Sequence, residues 1–493
     1  MRPDITNIFV LMLENRSFDH LLGLCGLTGT DAVTGTPTSI RGLMGTETNS
    51  YRGQAFSAGP GALENLPVDP GHEFLDVLEQ LCGTNVSYPP GAPYPPINSS
   101  GFVSDYALSH TRDEGGATGD FGQIMRGFLP DQLPVLNALA RNFAVCDSWH
   151  ASIPGPTWPN RLFALAASSA GLDHSPTTAE ILTWETMEGI EFANGTLFDA
   201  LGKHSTSGWR IYSADDFPLV AALKGIALPD VHRFDEFAGA VSSPSYPWLY
   251  TWIEPNYGDV IGGTYRGGNS QHPLDGIAAG EALIKTVYEA IRSSPHWNSS
   301  VLIITWDEHG GFYDHIAPPA AIPPGDTAPG SKYNQYGFTF QRYGVRVPAV
   351  IVSPRIPANL IDHRLYDHSC IAATLRDAYG LPALTDRDRS ANSVLSLLSL
   401  PAPRTDTPAM LPTVPPPAPA AAPLRTPSPQ DSVDSGNLPG LLHIAMRHDL
   451  ALSSPAQRHV ILARVQAIQT RAQAAQYIQD VRTKLRSARA APP

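Results

Sequence analysis

Apolar and polar positions follow two rhythms along this chain. Ile5–Leu13 is an almost unbroken apolar run that stops abruptly at Glu14-Asn15-Arg16-Ser17, which predicts a short strand buried on both faces. Phe143–Cys146, Val301–Thr305 and Val347–Val352 repeat that pattern, the last ended by Ser353-Pro354. Between them the spacing changes to three and four. Pro134–Phe143 and Gly276–Ser293 read as helices, as does Trp158–Ala170, with Thr157 at its N-cap and a proline in its first turn. Residues 28–70, rich in Gly, Thr, Ser and Pro, read as long loops. Strands separated by helical segments predict an α/β fold, a mainly parallel central sheet sandwiched by helices.

The pattern changes near residue 400. Twelve prolines lie between Pro401 and Gly440 among Ala, Ser and Thr, a composition that predicts an extended linker. Beyond it, Ile461, Val465, Ile468, Ala472, Ala475, Ile478, Val481 and Leu485 mark one amphipathic helix over Pro455–Ser487 with a basic polar face. The expected organisation is therefore a catalytic domain at 1–400, a Pro/Ala-rich linker at 401–440 and a basic helical extension at 441–493. That helix is expected to dock on its own domain or a second subunit. Transient contact with an anionic membrane surface is the alternative.

Composition narrows the function classes. The 493 residues are 42% hydrophobic and 16% charged, enough for a large core, and no apolar run approaches the ~20 residues that cross a bilayer. A net charge of −13 argues against nucleic-acid partners, which require a basic face. From Leu441 onward eight Lys or Arg face only Asp449 and Asp480, so the acidic excess lies in the first 440 residues. Cys25, Cys82, Cys146 and Cys370 show no C-x-x-C spacing, and two disulfides or four buried thiols are both compatible with them. No secretory h-region precedes the first strand, which leaves the compartment open.

The chemistry gathers at strand ends. Glu14-Asn15 follows the first strand and Asp307-Glu308 follows Val301–Thr305, and ligands of open α/β sheets bind beyond such carboxyl ends. These oxygen ligands suit one divalent cation, Ca²⁺, Mg²⁺ or Mn²⁺ before Zn²⁺. Thr157, at a helix N-terminus that favours an anion, could attack phosphorus beside such a cation, with Ser152 second choice. His72, His272, His309, His315 and His368 sit in loop-like contexts around the acidic clusters and could handle protons.

Taken together, Glu14-Asn15-Arg16-Ser17-Phe18-Asp19-His20, Asp69-Pro70-Gly71-His72, Thr157-Trp158-Pro159-Asn160-Arg161, His272-Pro273, Asp307–His315, Gly344–Pro354 and Asp367-His368-Ser369 closely resemble the phosphoesterase family. That family holds bacterial phosphatidylcholine-hydrolysing phospholipases C, acid phosphatases and plant non-specific phospholipases C. The resemblance spans roughly residues 5–390 and implies a fold similar to alkaline phosphatases and arylsulfatases. It implies Glu14, Asn15, Thr157, Asp307 and Glu308 as metal ligands, with Thr157 as nucleophile. It implies His72, His272 and His309 as further catalytic residues, and Asn15, His315 and His368 toward the phosphate. A threonine at 157 matches the phospholipase branch, where acid phosphatases carry serine. The expected activity is phospholipase C, cleaving phosphatidylcholine-type lipids to diacylglycerol through a phosphothreonine. A broad acid phosphatase is the alternative and a non-catalytic phospholipid-binding protein a remote one. Aromatics in Tyr246–Trp252 and the loops 28–70 and 316–338 are candidates to line the entrance. Cys25–Cys82 and Cys146–Cys370 are the pairings considered. The linker and tail match no motif.

Overall fold

A computed structural model describes residues 5–114, 119–182, 188–326, 332–417 and 426–490. Its centre is a ten-stranded sheet. In chain order the strands are β1 (Asn7–Leu13), β2 (Thr28–Asp31), β3 (Pro37–Ser39), β4 (Ala144–Cys146), β5 (Trp209–Ser213), β6 (Val231–Arg233), β7 (Tyr250–Glu254), β8 (Ser300–Trp306), β9 (Ala349–Val352) and β10 (Leu360–Asp362). They lie side by side as β6-β5-β7-β1-β8-β9-β4-β10-β2-β3. β9 runs antiparallel to both neighbours and β3 closes the edge antiparallel, while the remaining pairings are parallel. β1 and β8 sit at the middle with every residue buried, as expected of unbroken apolar strands covered on both faces.

The helices that matter here are α1 (Pro134–Asn142), α2 (Thr157–Ala166), α3 (Ala278–Arg292), α4 (Ser369–Tyr379), α5 (Leu438–Ala451), α6 (Arg458–Gln466) and α7 (Arg471–Ala490). Glu281 of α3 caps α1 across the fold, accepting the N–H groups of Val135 and Leu136 at 2.7 and 3.0 Å. Two otherwise unpaired helix-start donors are satisfied in this way.

Several expectations change. Thr157 is the first residue of α2 rather than its cap, since Pro156 holds the cap position. Residues 28–70 contain β2, β3 and a hairpin of Thr48–Tyr51 with Gln54–Ser57. That hairpin turns at Arg52 and Gly53, both at positive φ, the geometry of a tight two-residue turn. Tyr250 and Trp252 are buried in β7 and line no entrance. The single helix expected over Pro455–Ser487 breaks between α6 and α7. Gln473 Oε1 accepts the N–H groups of Gln469 and Thr470, and Gln473 N–H points back to the Thr470 hydroxyl, a capping box that starts a new helix. All four cysteines are buried thiols, so neither considered disulfide forms. Residues 418–425 of the Pro-rich segment and 327–331 of the 316–338 loop lie outside the described residues.

Helix α5 begins inside the Pro-rich segment and is buried on several sides, among them Leu442, His443, Ile444, Ala445 and Met446. A Cβ added to Gly440 would fall 1.8 Å from Cζ2 of Trp158, so only glycine allows α5 to lie this close to α2. At the far end of the tail, Arg482, Arg486 and Arg489 of α7 all reach Asp216 at 3.2–3.4 Å. Among the described residues no helix is long and apolar enough to cross a membrane.

Candidate active site

Parallel pairing of β1 and β8 places Leu13 opposite Trp306, so the residues that follow emerge together. Asn15 N–H donates to Asp307 Oδ1 at 3.0 Å, and Glu308 N–H donates to the same oxygen at 2.7 Å. Asp307 Oδ2 receives Arg161 Nε–H at 2.8 Å. Arg161 also donates to the carbonyls of Met12 and Leu13, tying α2 to the end of β1. Thr157 stands one turn earlier on α2, and its Oγ1 lies 3.5 Å from Asn15 Oδ1. Asn15 is held at φ 63°, and Gly310 must be glycine beside it, because a Cβ there would meet the Asn15 carbonyl at 2.1 Å.

Glu14, Asn15, Thr157, Asp307 and Glu308 are all buried at this strand end, although the Glu14, Asp307 and Glu308 carboxylate oxygens do not all come within 4.8 Å of one another. Glu14 accepts Ser270 Oγ–H through one oxygen at 2.8 Å, while its other oxygen, Oε2, has no hydrogen-bond partner. Glu308 likewise accepts Gly310 N–H through Oε2 at 2.7 Å and leaves Oε1 without one. Burial, then the charge of Asp307, hold the Glu14 carboxyl well above the usual range. Burial also raises Asp307, against the opposing pull of Arg161. Unpartnered buried carboxylate oxygens are costly, and oxygen donors are the ligand type that hard divalent cations take.

The histidines divide into two groups. His72 lies beside these residues, its Nδ1 3.3 Å from Asn15 Nδ2 and 3.9 Å from Glu308 Oε1. Burial alone would lower its pKa, but the carboxylates of Glu308, Asp69, Glu73 and Asp76 outweigh this and push it up to about 9. The His272 ring lies 6.4 Å from that of His72. Its Nδ1 accepts Leu274 N–H at 3.3 Å, which puts the proton on Nε2, 3.7 Å from Asp69 Oδ2. Tyr265 stacks flat against this ring, centroids 3.5 Å apart. Burial, then the charge of His72, drive His272 well below the usual range, so it is neutral.

Of the other three, His309 and His368 touch the acidic residues from behind and His315 lies apart. His309 Nε2 bonds Gln80 Oε1 at 2.7 Å and its Nδ1 lies 3.4 Å from Glu308 Oε2. His368 has both nitrogens taken, Nδ1 by Trp149 Nε1–H at 3.2 Å and Nε2 by the Asp307 carbonyl at 2.6 Å, so it braces the strand end from behind. His315 Nδ1 bonds Asp19 Oδ2 at 2.6 Å. Asp19, Asp314 and His315 offer ligand atoms within 4.8 Å of one another. Arg346 donates to Asp314 Oδ1 at 2.8 Å and Asp19 Oδ1 at 2.9 Å, as Arg161 does to Asp307. Ser152, the second-choice nucleophile, donates to Asp367 at 2.8 Å.

Arg161 and Ser270 are the site residues that the sequence argument assigned no role. Arg161 sits at i+4 from Thr157, the spacing that puts both on one helix face, which was the available signal. Ser270 carried none.

The Phosphoesterase family matches residues 5–382. Non-specific phospholipase C6 of Arabidopsis thaliana is 35% identical over 451 residues, covering 87% of this chain and 77% of that protein. Phospholipase C A of Mycobacterium tuberculosis (strain CDC 1551 / Oshkosh) is 26% identical over 412 residues, covering 77% and 74%. Among solved structures, a protein in the alkaline phosphatase superfamily from Vibrio parahaemolyticus aligns over 54% of this chain and 70% of that one, with 14% identity and a TM-score of 0.33. The chain belongs to the Phosphoesterase family and is a hydrolase acting on phosphoric esters.

Proposed function

We propose that this protein is a metal-dependent phospholipase C that splits glycerophospholipids into diacylglycerol and a phosphorylated head group, with Thr157 as nucleophile. The observation that carries the reading is the convergence of Thr157, Asn15 and two unpartnered carboxylate oxygens, Glu14 Oε2 and Glu308 Oε1, at the joined ends of β1 and β8. The named activity of the plant and mycobacterial relatives supports it.

Glu14, Asn15, Thr157, Asp307 and Glu308 would hold one divalent cation, which supplies charge neutralisation for the phosphoryl oxygens and a lowered hydroxyl pKa. Thr157 Oγ1, its proton released to solvent, bonds to phosphorus in line as the bond to the alcohol oxygen breaks. Free N–H groups at the start of α2 donate to the phosphoryl oxygens. His72, set among Asp69, Glu73 and Asp76, gives its proton to the departing alkoxide, and His272 offers its Nε2–H as a hydrogen bond on the same side. Water then attacks the phosphothreonine. One water proton returns to His72, the other stays on the released head-group phosphate, and Thr157 regains its own from solvent.

The test compares phosphatidylcholine and p-nitrophenyl phosphate, with and without chelator. Chelator-sensitive release of diacylglycerol is the expected result. Rapid monoester hydrolysis without diacylglycerol would overturn the reading in favour of an acid phosphatase.

A further inference from the structure

The space beside the site is shared with chain that lies beyond the family match, which ends at residue 382. A cavity of about 920 Å³, counted with its open mouth, has Asp69, Tyr265 and Leu274 on one side and Asp431, Ser435 and Arg471 on the other. Two of those walls are the neighbours of His272 already described, the stacked Tyr265 ring and the Asp69 carboxylate. Arg471 is pinned there, donating to the carbonyls of Val260 and Ile261 at 3.1 and 3.0 Å. A narrow apolar slot with room for about 30 Å³, roughly one water, runs under α5 between Phe217, Leu219, Leu441 and Ile444 and has Glu14 and Thr157 in its wall; Val260 lines both spaces.

We infer that the larger cavity receives the departing alcohol of the phosphoester, and that Ser435 on the C-terminal segment sets how bulky an alcohol is accepted. The inference rests on the proposed in-line reaction. An oxygen leaving phosphorus points away from the attacking Thr157. The Asn15 amide separates the two sides, its oxygen toward Thr157 and its nitrogen toward His72, so the alcohol departs toward His72, His272 and Asp69, and Asp69 lines the cavity. About 270 Å³ of it is enclosed space, at the lower end of the ~300–1,000 Å³ of ordinary ligand pockets. The wall mixes apolar faces (Pro67, Val68, Leu274) with polar groups, which suits an alcohol carrying both ester oxygens and hydrocarbon, as diacylglycerol does.

Exposed and outside any helix, Ser435 tolerates a large side chain. The experiment measures kcat/KM for ethyl phosphate, octyl phosphate and dihexanoyl phosphatidylcholine with wild type and Ser435→Trp. Burying alkyl carbons favours the longer ester by about fourfold per methylene until the cavity is filled. Ser435→Trp is expected to cut the octyl-to-ethyl ratio at least ~10-fold, mainly through KM, since removing uniform binding raises KM. Pro427→Trp, at a half-buried position in the cavity wall, is expected to cut the same ratio and serves if the first variant fails to fold. An unaltered ratio in both variants, with phosphatidylcholine still cleaved, would overturn the inference and leave the phospholipase reading intact. A collapsed ratio on alkyl phosphates with no cleavage of the diester would support the cavity assignment and sink the phospholipase reading.

Discussion

Arg161 and Asp307 form a fully buried ion pair at 2.8 Å, and that pair fixes the helix carrying Thr157 to the strand end carrying Asp307 and Glu308. Arg161 is held further by the face of Tyr257, 5.1 Å from the ring centroid, and by the carbonyls of Met12 and Leu13. Thr157 and Asp307 are 150 residues apart in sequence, and this contact makes the elements carrying them one unit.

Removing Arg161 leaves Asp307 buried without its counter-charge. Arg161→Ala is expected to cost about 3–5 kcal/mol in urea unfolding of the metal-free protein. Arg161→Lys should recover only part of this, because an ammonium cannot reproduce the guanidinium's several directed bonds. A loss below 1 kcal/mol for Arg161→Ala would mean the pair does not organise the site.

Cation binding should be visible without turnover. Restoring a divalent cation to chelated protein at about 100 times its Kd is expected to stabilise the fold by about 2.7 kcal/mol, read as a rise in Tm. Glu14→Gln and Glu308→Gln should each weaken that rise. A cation-induced rise retained by both variants would place the metal elsewhere.

His174 links stability to pH away from the site. It lies between Asp173, 3.0 Å from Nδ1, and Glu180, 2.8 Å from Nε2. Burial opposes its charge, but those two hydrogen bonds outweigh burial and raise its pKa to about 9. The folded protein therefore holds this proton more tightly than the unfolded chain. The stabilisation is complete below pH ~6.5 and is lost as pH rises toward 9. Unfolding free energy should fall by on the order of 2 kcal/mol across that window, and His174→Gln should flatten the slope. An equal slope in the variant would rule His174 out as its source.

Gly440 sets how deeply α5 seats against Trp158. Gly440→Ala is expected to destabilise by about 1–3 kcal/mol through overpacking and to shift tryptophan emission as α5 lifts. An unshifted spectrum with unaltered stability would contradict the close approach.

Much of this was legible in the chain. β1 and β8 announce themselves because strands buried on both faces must be apolar throughout, and Glu14-Asn15 and Asp307-Glu308 stand where such runs stop. The depth of α5 was not. Its Leu438–Ala451 stretch opens with Pro439 and Gly440 in a Pro-rich context and is buried on several sides, so it presents no one-sided apolar stripe to read. Histidine roles were equally hidden. His368 and His72 look alike in sequence, and only tertiary packing sends one behind Asp307 and the other beside Asn15. The stop between α6 and α7 was available in Thr470-x-x-Gln473, but the continuing apolar spacing masked it.

The most direct test of the central claim is covalent. Wild-type protein mixed with phosphatidylcholine and quenched in acid should carry a phosphorylated head group on the peptide containing Thr157, read by mass spectrometry. Thr157→Ala should carry no adduct and lose turnover while keeping its Tm, because the hydroxyl is not the helix cap. Full turnover by Thr157→Ala, or an adduct mapped to another residue, would contradict the account.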